Sequence, residues 1–174
     1  MNTRSAGSSA FTVVACVLCI GLVLRPTVVS GAPMMPTLHD KDVLIASPLA
    51  GRLFQPARGD IVTVCLSANP LCGFVFSRDT QYVKRIVAVP GDTVRYNSCD
   101  VFVTAASGQR LSDSEPTMAC RDRGAFKEIS LPDGMYFVAG DNRGNSLDSR
   151  VFGPISKSQI NAKVLAQMRF TWAP

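Results

Sequence analysis

The chain has 174 residues, of which 47% are hydrophobic and 18% charged, so it can bury a core and is not disordered. Its formal net charge of +5 would suit an anionic partner, but the basic residues are scattered and are not interleaved with aromatic residues. A solvated basic surface is therefore expected, and nucleic acid is not an expected partner.

The first element is an uncharged segment, residues 5–24, with the apolar centre AFTVVACVLCIGLVL. A segment of this length can span a hydrocarbon core of roughly 30 Å as a helix. The alternative is a cleaved secretory signal, since Ser30, Gly31 and Ala32 are small residues of the kind found at cleavage sites. A retained membrane anchor is preferred, because cleavage there would leave Pro33 at the new N-terminus, inside a motif described below. One arginine on each side of the segment leaves its orientation open.

After residue 40 the sequence predicts short strands, rich in β-branched and aromatic residues and bounded by Gly, Pro, Asp and Asn. Five strands are expected, at 43–48, 60–66, 82–89, 135–140 and 163–172. Residues 97–130 are more polar and are expected to form a loop or small insert. The predicted fold class is all-β with one N-terminal transmembrane helix. The expected division is a membrane anchor at 1–30 and a β domain at 31–174.

The six cysteines match no zinc-binding pattern, and His39 is the only histidine, so neither a metal site nor another cofactor is expected. Two of the cysteines, Cys16 and Cys19, lie in the apolar segment as small hydrophobic residues. One disulfide can form among the other four cysteines, and the sequence does not decide which two of them pair. These four are Cys65, Cys72, Cys99 and Cys120.

A single lysine, Lys84, lies inside the otherwise apolar run of QYVKRIVAVPGD (81–92). Apolar neighbours such as Val83 and Ile86 would remove water from the amine and lower its pKa. A neutral amine near pH 7 can act as a general base. The alternative is that Lys84 and Arg85 simply face solvent from the strand.

A second polar motif, GDNRGNSLDSRVFGP, covers residues 140–154. It does not fit a calcium-binding EF-hand loop, since Arg143 occupies a ligand position and Phe152 replaces the closing glutamate. An ordinary polar turn is one interpretation. The other is that Asp148 and Arg150 pair and hold Ser146 rigidly beside another group.

A third segment, PMMPTL (33–38), follows the apolar segment directly. Met34 and Met35 are apolar and are expected either to dip into the membrane surface or to line a groove. A plain linker next to the membrane is the alternative.

Together and in this order, MMPTL, KRIVAVPGD and GDNRGNSLDSR resemble the boxes of type I signal peptidases, the serine/lysine peptidases that cut leader sequences at membranes. The resemblance extends over roughly residues 31–172, and RGDIV (58–62) is similar to an intervening strand of that family. The short length, the single anchor, FGPIS and the terminal W-x-P look most like the mitochondrial inner-membrane branch. A single-pass location in that membrane is the corresponding expectation.

The resemblance implies a β-rich peptidase domain at a membrane surface, with leader-bearing precursor proteins as substrates. Lys84 would be the general base, and Ser146 would orient its amine. The supporting residues would be Asp141, Asn142, Asp148 and Arg150. Met34 and Met35 would line shallow pockets for the small residues next to the cut. Membrane lipid and a second peptidase subunit are the other implied partners, and no cofactor or metal is implied.

The resemblance also places the family's nucleophilic serine at position 33, where this chain has Pro33. Proline has no hydroxyl and no backbone N–H to stabilise an oxyanion. Ser30 is a candidate substitute nucleophile, although it lies roughly 10 Å upstream in an extended chain. Thr37 is a weaker one. Two functions follow: a membrane-bound serine endopeptidase with a displaced nucleophile, or a catalytically silent member that acts as a partner subunit or leader-binding module.

Overall fold

The computed structural model describes residues 23–67, 72, 80–111 and 124–169. These residues form eleven strands in two antiparallel sheets, so the all-β prediction is confirmed. The strands are β1 Arg25–Val28, β2 Val43–Ser47, β3 Ile61–Cys65, β4 Gln81–Ala88, β5 Thr93–Tyr96, β6 Val101–Thr104, β7 Arg110–Leu111, β8 Lys127–Ser130, β9 Met135–Ala139, β10 Ile155–Ser156 and β11 Ile160–Met168.

The larger sheet has the strand order β1-β2-β11-β3-β4-β9-β10. It contains all five strands expected from the sequence, namely β2, β3, β4, β9 and β11. Strand β4 lies between β3 and β9, and its residues Val83 and Ile86 belong to two different core clusters. Both faces of β4 are therefore buried, which places Lys84 in a strand without a solvent-facing side.

The smaller sheet has the order β7-β6-β5-β8 and accounts for much of the polar region expected to be a loop or small insert. Its strand β6 alternates buried Val101 and Val103 with more exposed residues. The buried side packs on Phe137 of β9 and on Leu131, so the two sheets share a core. The insert is thus a small sheet attached to the larger one.

Strand β1 begins directly after the apolar segment and ahead of the domain boundary expected at residue 31. It pairs with β2, with Arg25 opposite Ala46. The predicted membrane anchor at 5–24 lies outside the described residues, except for Val23 and Leu24. Among the helices of the described ranges, none has both the length and the apolar character needed to cross a bilayer.

A short helix that the sequence analysis did not predict, Pro48–Leu53, follows β2 directly. Ser47 caps it, because its hydroxyl accepts a hydrogen bond from the Ala50 N–H at 3.1 Å. Gly51 lets it approach β11 closely, since a Cβ at that position would lie 3.1 Å from the Cα of Ala162. The remaining short elements are 3-10 turns at Arg143–Asn145 and Lys157–Gln159 and a helical turn at Ser149–Phe152.

A disulfide between Cys65 and Cys72 closes the beginning of the connection from β3 to β4. Cys99 is also disulfide-bonded. The sequence analysis left the pairing open, and the structure decides it for Cys65 and Cys72.

Candidate functional site

Lys84 is the largest fully buried side chain among the described residues, with 1% of its surface exposed. It stands in the middle of β4, opposite Val62 of β3. Its Nζ lies 5.9 Å from the centroid of the Tyr82 ring. Burial lowers the pKa of Lys84 below its ordinary value; the negative charge of Asp148 opposes this shift, and the positive charge of Arg150 reinforces it.

Asp148 and Arg150 form a two-pronged ion pair beside this amine. Arg150 donates from Nε to Oδ1 and from Nη2 to Oδ2 of Asp148, each at 2.8 Å. The backbone N–H of Gly140 donates to the same carboxylate at 2.9 Å. Although burial pushes the pKa of Asp148 upward, the Arg150 hydrogen bonds and charge outweigh it and hold the pKa below its usual range. The pair is thus an ionised brace, as the sequence analysis expected of these two residues.

Arg150 also fastens the loop that carries the pair. Its guanidinium donates to the backbone carbonyl of Arg143 at 2.9 Å and to that of Ser98. The first contact closes residues 143–150 on themselves, and the second ties them to the turn before β6. The loop after β9 is therefore held from both sheets.

Gly140 lies in close contact with residues of two of the sequence segments. The register of β4 and β9 sets Arg85 opposite Ala139, and Lys84 and Gly140 are the next residues along the chain from this last pair. A Cβ on Gly140 would lie 2.2 Å from the Ser146 hydroxyl oxygen and 2.4 Å from the Pro33 carbonyl oxygen. Any side chain at 140 would therefore displace Ser146 or Pro33, which explains the glycine.

The segment around Pro33 is hydrogen-bonded to the same loop. Asn142 donates its backbone N–H to the Pro33 carbonyl at 3.0 Å and its side-chain amide to the Ala32 carbonyl at 2.9 Å. Position 33 is thus fixed at the site through its backbone, while its side chain is a pyrrolidine ring. No group at this position can give up a proton to Lys84.

Ser146 presents its hydroxyl next to this junction. The Oγ atom is buried and makes no hydrogen bond of ordinary geometry within the described part of the chain, but it lies close enough to Asp148 to help hold the pKa of that carboxyl below its usual range. On one side it meets the Gly140 backbone. On the other, Ser146 lines a cavity of about 440 Å³ together with Arg143, Arg150 and Tyr96. The Ser146 hydroxyl therefore lies between the Gly140 backbone and the Asp148 carboxylate.

A second ion pair joins all three segments and was not predicted as part of the site. Arg85 donates to Asp141 from Nε at 2.8 Å and from Nη2 at 2.6 Å, and Thr37 donates its hydroxyl to the same carboxylate at 2.5 Å. Burial pushes the pKa of Asp141 upward, but the hydrogen bonds from Arg85 and Thr37 hold it below its usual range. Asp141 had been assigned a supporting role, whereas Arg85 and Thr37 had not.

The remaining sequence candidates lie farther from this junction or inside the core. Ser30 is exposed, and the N–H of the next residue, Gly31, donates to Asp40 at 2.8 Å, which ties this part of the chain toward β2. Met34 is completely buried in a cluster with Leu38 and other core residues, and Met35 is half-buried. Their substrate-binding roles stay predictions.

No three His, Cys, Asp or Glu side chains lie close enough together to hold a metal ion in residues 23–67, 72, 80–111 and 124–169. The chemistry that the arrangement offers is that of a buried amine, a braced carboxylate and a buried hydroxyl.

Comparison with known proteins supplies the family. Residues 3–171 match the family model described as signal peptidase, peptidase S26. The chain is 33% identical over 159 residues to signal peptidase I of Bacillus amyloliquefaciens, a match that covers 85% of this chain and 77% of the relative. It is 33% identical over 160 residues to signal peptidase I S of Bacillus subtilis (strain 168), covering 85% and 78%. A probable signal peptidase I-2 of Synechocystis is 32% identical over 152 residues, covering 85% and 66%.

Among solved structures, a signal peptidase I from Enterococcus faecalis V583 is 26% identical, with a TM-score of 0.45 and coverage of 65% of this chain and 98% of that one. The family model and the relatives agree on the class, which is that of the signal peptidases, serine endopeptidases. The chain belongs to the signal peptidase family, peptidase S26.

Proposed function

We propose that this chain acts on the leader peptides of precursor proteins at a membrane, with Lys84 in the position of the general base and Pro33 in the position of the nucleophile. The observation that carries the proposal is the geometry at Gly140. The Pro33 carbonyl and the Ser146 hydroxyl both lie against this residue, which follows the last printed pair of β4 and β9, and the charges of Asp148 and Arg150 in the same loop act on the buried Lys84.

The chemistry of this site is complete except for one group. A buried amine of lowered pKa can take a proton from a hydroxyl. The role proposed for Ser146 is to orient that amine. Pro33 supplies neither the hydroxyl that would attack a peptide carbonyl nor the N–H that would stabilise the oxyanion. We therefore infer that the chain by itself binds leader peptides without cutting them, as the partner subunit of a processing complex.

A second candidate is an active endopeptidase that uses another hydroxyl. The retained buried lysine favours it, because burying an amine costs free energy that a protein with a binding role alone need not spend. The substitute proposed from the sequence is Ser30. Its exposed position, tied toward β2, offers this hypothesis no support.

The location and the partners are part of the same proposal. The apolar segment 5–24 would anchor the chain in a membrane, and a second peptidase subunit would supply the missing nucleophile. The proposed location in the mitochondrial inner membrane rests only on the sequence features given above for that branch, since the relatives named above are bacterial.

The test is cleavage of a leader-bearing precursor by the purified, detergent-solubilised full chain, its Pro33→Ser variant, and the double variant Pro33→Ser/Lys84→Met. We expect that only the single variant cuts, because it restores the hydroxyl and the N–H while Lys84 remains. Binding of a fluorescent leader peptide to the unaltered chain, followed by anisotropy, is the companion measurement.

Two outcomes would contradict the proposal. If the unaltered chain cuts the precursor, a displaced nucleophile exists, and a Ser30→Ala variant then decides whether it is Ser30. If the unaltered chain fails to bind the leader peptide and the serine variant fails to cut it, the site does not handle leader peptides.

A further inference from the structure

A cavity of about 440 Å³ next to Ser146 is lined by positive charge. Three cations line it, Lys127, Arg143 and Arg150, and no described residue of its lining is acidic. Its volume falls within the range of roughly 300–1,000 Å³ that is common for ligand sites. We call it the cationic cavity, and its charge favours an anionic ligand.

The register of the small sheet turns Lys127 toward the cavity. Lys127 of β8 is opposite Tyr96 of β5, and both residues line the cavity. Because side chains alternate along a strand, the next pair, Glu128 and Arg95, belongs to the other face of the sheet. Lys127 forms no ion pair within the described part of the chain. Its charge is therefore available to a ligand, and the acidic residue nearest to it in sequence points away from that ligand.

The two arginines of the cavity are built into the protein. Arg143 is 4% exposed and donates from Nε to the Gly140 carbonyl at 3.0 Å. The Arg150 side chain is 3% exposed and is held by Asp148, which offsets its charge and is not among the lining residues. Both guanidinium groups are thus fixed before a ligand arrives, so binding need not order them.

The cavity borders the position at which the family's nucleophile would stand. Ser146, one of its lining residues, lies against Gly140, and so does the carbonyl of Pro33. The peptide bond that an active member cuts would pass this position. One product of that cut is a leader peptide with a new C-terminal carboxylate, which forms beside position 33.

We propose that the cationic cavity binds the C-terminal carboxylate of a leader peptide that has already been cut, with Lys127 as its direct partner and Arg143 and Arg150 as buried positive charge beside it. The inference rests on the proposed function, which it narrows from leader peptides in general to the released ones. The chain then retains the product while an active subunit cuts the next precursor.

Charge is what distinguishes the two forms of the leader. In an uncut precursor the same carbonyl carbon belongs to a neutral peptide bond, whereas in a cut leader it belongs to a carboxylate with a full negative charge. Hydrogen bonds to a charged acceptor are about twice as strong as neutral ones. Pro33 has no N–H to offer to either form, so positive side chains are the groups that can discriminate between them.

The first test compares three leader peptides, each labelled with fluorescein at its N-terminus and titrated with the detergent-solubilised full chain. One ends in small residues with a free carboxylate, the second is its C-terminal amide, and the third continues past the cut. We expect the free acid to bind about tenfold more tightly than the other two, as one charge-assisted hydrogen bond allows. Equal affinity for the free acid and the amide overturns the proposal.

The second test concerns the direct partner. Lys127→Gln should weaken binding of the free acid to the level of the amide and leave binding of the amide unchanged. The matched control is Lys157→Gln, since Lys157 is half-buried and is not among the residues that line the cavity; this variant should keep the tenfold preference. A preference that survives Lys127→Gln, or that Lys157→Gln removes equally, overturns the assignment to the cavity.

Competition distinguishes a peptide carboxylate from other anions. N-acetylalanine, which ends in the same kind of carboxylate, should displace the free-acid peptide at a lower concentration than inorganic phosphate does. If phosphate displaces the peptide at the same or a lower concentration, the cavity is a general anion site and the carboxylate assignment is overturned.

The same titrations separate this inference from the proposed function. If the free acid, the amide and the extended peptide bind equally well, the chain binds leader peptides and only the preference for the cut form is wrong. If none of the three binds, the proposed function fails and the inference fails with it.

Discussion

Asn142 donates its backbone N–H to the carbonyl oxygen of Pro33 at 3.0 Å, so the position without a hydroxyl is anchored to the loop that carries the ionised brace. The Asn142 side chain repeats the connection one residue earlier, at the Ala32 carbonyl. Because these bonds use only the backbone oxygens of the segment, a serine at position 33 can keep them. The Pro33→Ser substitution therefore changes a side chain and restores an N–H without releasing the segment.

Gly140→Ala should disrupt the site, because its Cβ would lie 2.2 Å from the Ser146 hydroxyl and 2.4 Å from the Pro33 carbonyl. Such overpacking costs about 1–3 kcal/mol of unfolding free energy. In the Pro33→Ser background it should also abolish cleavage. The control is Gly108→Ala, which has a φ of +82° but open space around its Cβ; it should cost stability through backbone strain alone and leave cleavage intact. Cleavage retained by Gly140→Ala would show that the contact at 140 does not shape the site.

Lys84→Met should raise the unfolding free energy at neutral pH by about 1–3 kcal/mol, because methionine fills the space without a polar group to desolvate. Burial lowers the folded-state pKa of Lys84, so the unfolded chain binds its proton more tightly. Stability should therefore rise with pH from the folded-state pKa up to the ordinary value of 10.5, and Lys84→Met should lack this rise. Urea unfolding across this pH range measures the difference, with the exposed Lys127→Met as the control. If the unfolding free energy rose equally with pH in the unaltered chain and in Lys84→Met, Lys84 would titrate normally.

The two ion pairs should differ in their importance for stability. Arg150 and Asp148 have 3% and 0% of their side chains exposed, whereas Arg85 and Asp141 have 26% and 10%. Arg150→Gln leaves a buried carboxylate without its partner and should cost about 3–5 kcal/mol. Arg85→Gln, whose partner is closer to water, should cost about 1 kcal/mol. Urea unfolding of the two variants gives the comparison. If the two variants lost the same amount of unfolding free energy, burial would not determine how much each ion pair contributes to stability.

Thr63→Val should stabilise the protein. The Thr63 hydroxyl is buried and has no hydrogen-bond partner in the described part of the chain, a state that costs about 1–3 kcal/mol. Valine has nearly the same shape without the hydroxyl. The control is Thr93→Val, which removes a hydroxyl 3.1 Å from that of Ser130 and should be neutral or slightly destabilising. A loss of stability in Thr63→Val, measured by thermal unfolding, would mean that its hydroxyl has a partner.

Cys72→Ser should lower the unfolding free energy by about 2–3 kcal/mol, the chain-entropy value for a loop as short as the one that Cys65 and Cys72 close. The substitution frees the connection between β4, the strand that carries Lys84, and its neighbour β3. Unfolding midpoints of the variant and the unaltered chain, both under non-reducing conditions, give the result. A midpoint unchanged by the substitution would show that the bridge does not constrain the unfolded chain.

The five longer strands of the larger sheet could be predicted because each has a run of β-branched and aromatic residues between turn signals. The helix Pro48–Leu53 was missed because six residues give too little periodicity, although Ser47 followed by proline is a helix-start signal. The small sheet was missed because residues 97–130 are polar on average. The sequence signal that could have predicted a strand here is the spacing of Val101 and Val103, which places both side chains on the same face.

The site was only partly predictable for a different reason. Lys84, Asp148 and Arg150 could be proposed because their residue types suggest chemistry at short sequence spacing. The contacts of Thr37 and Arg85 with Asp141 bridge residues far apart along the chain, and no local pattern reports them. The close approach of Ser146 and Pro33 to Gly140 could not be predicted either, because it depends on how the chain folds and not on the spacing of residues along the sequence.

The contacts of Asp141 have a consequence for the order of events during synthesis. Thr37 and Asp141 are 104 residues apart, and Thr37 and Arg85 are 48 apart. A ribosome therefore delivers the Lys84 strand long before the loop that covers it. Until residues 140–150 emerge, the Lys84 amine lacks its covering loop and keeps its proton. The nascent chain therefore acquires its low-pKa amine only after this loop has been made.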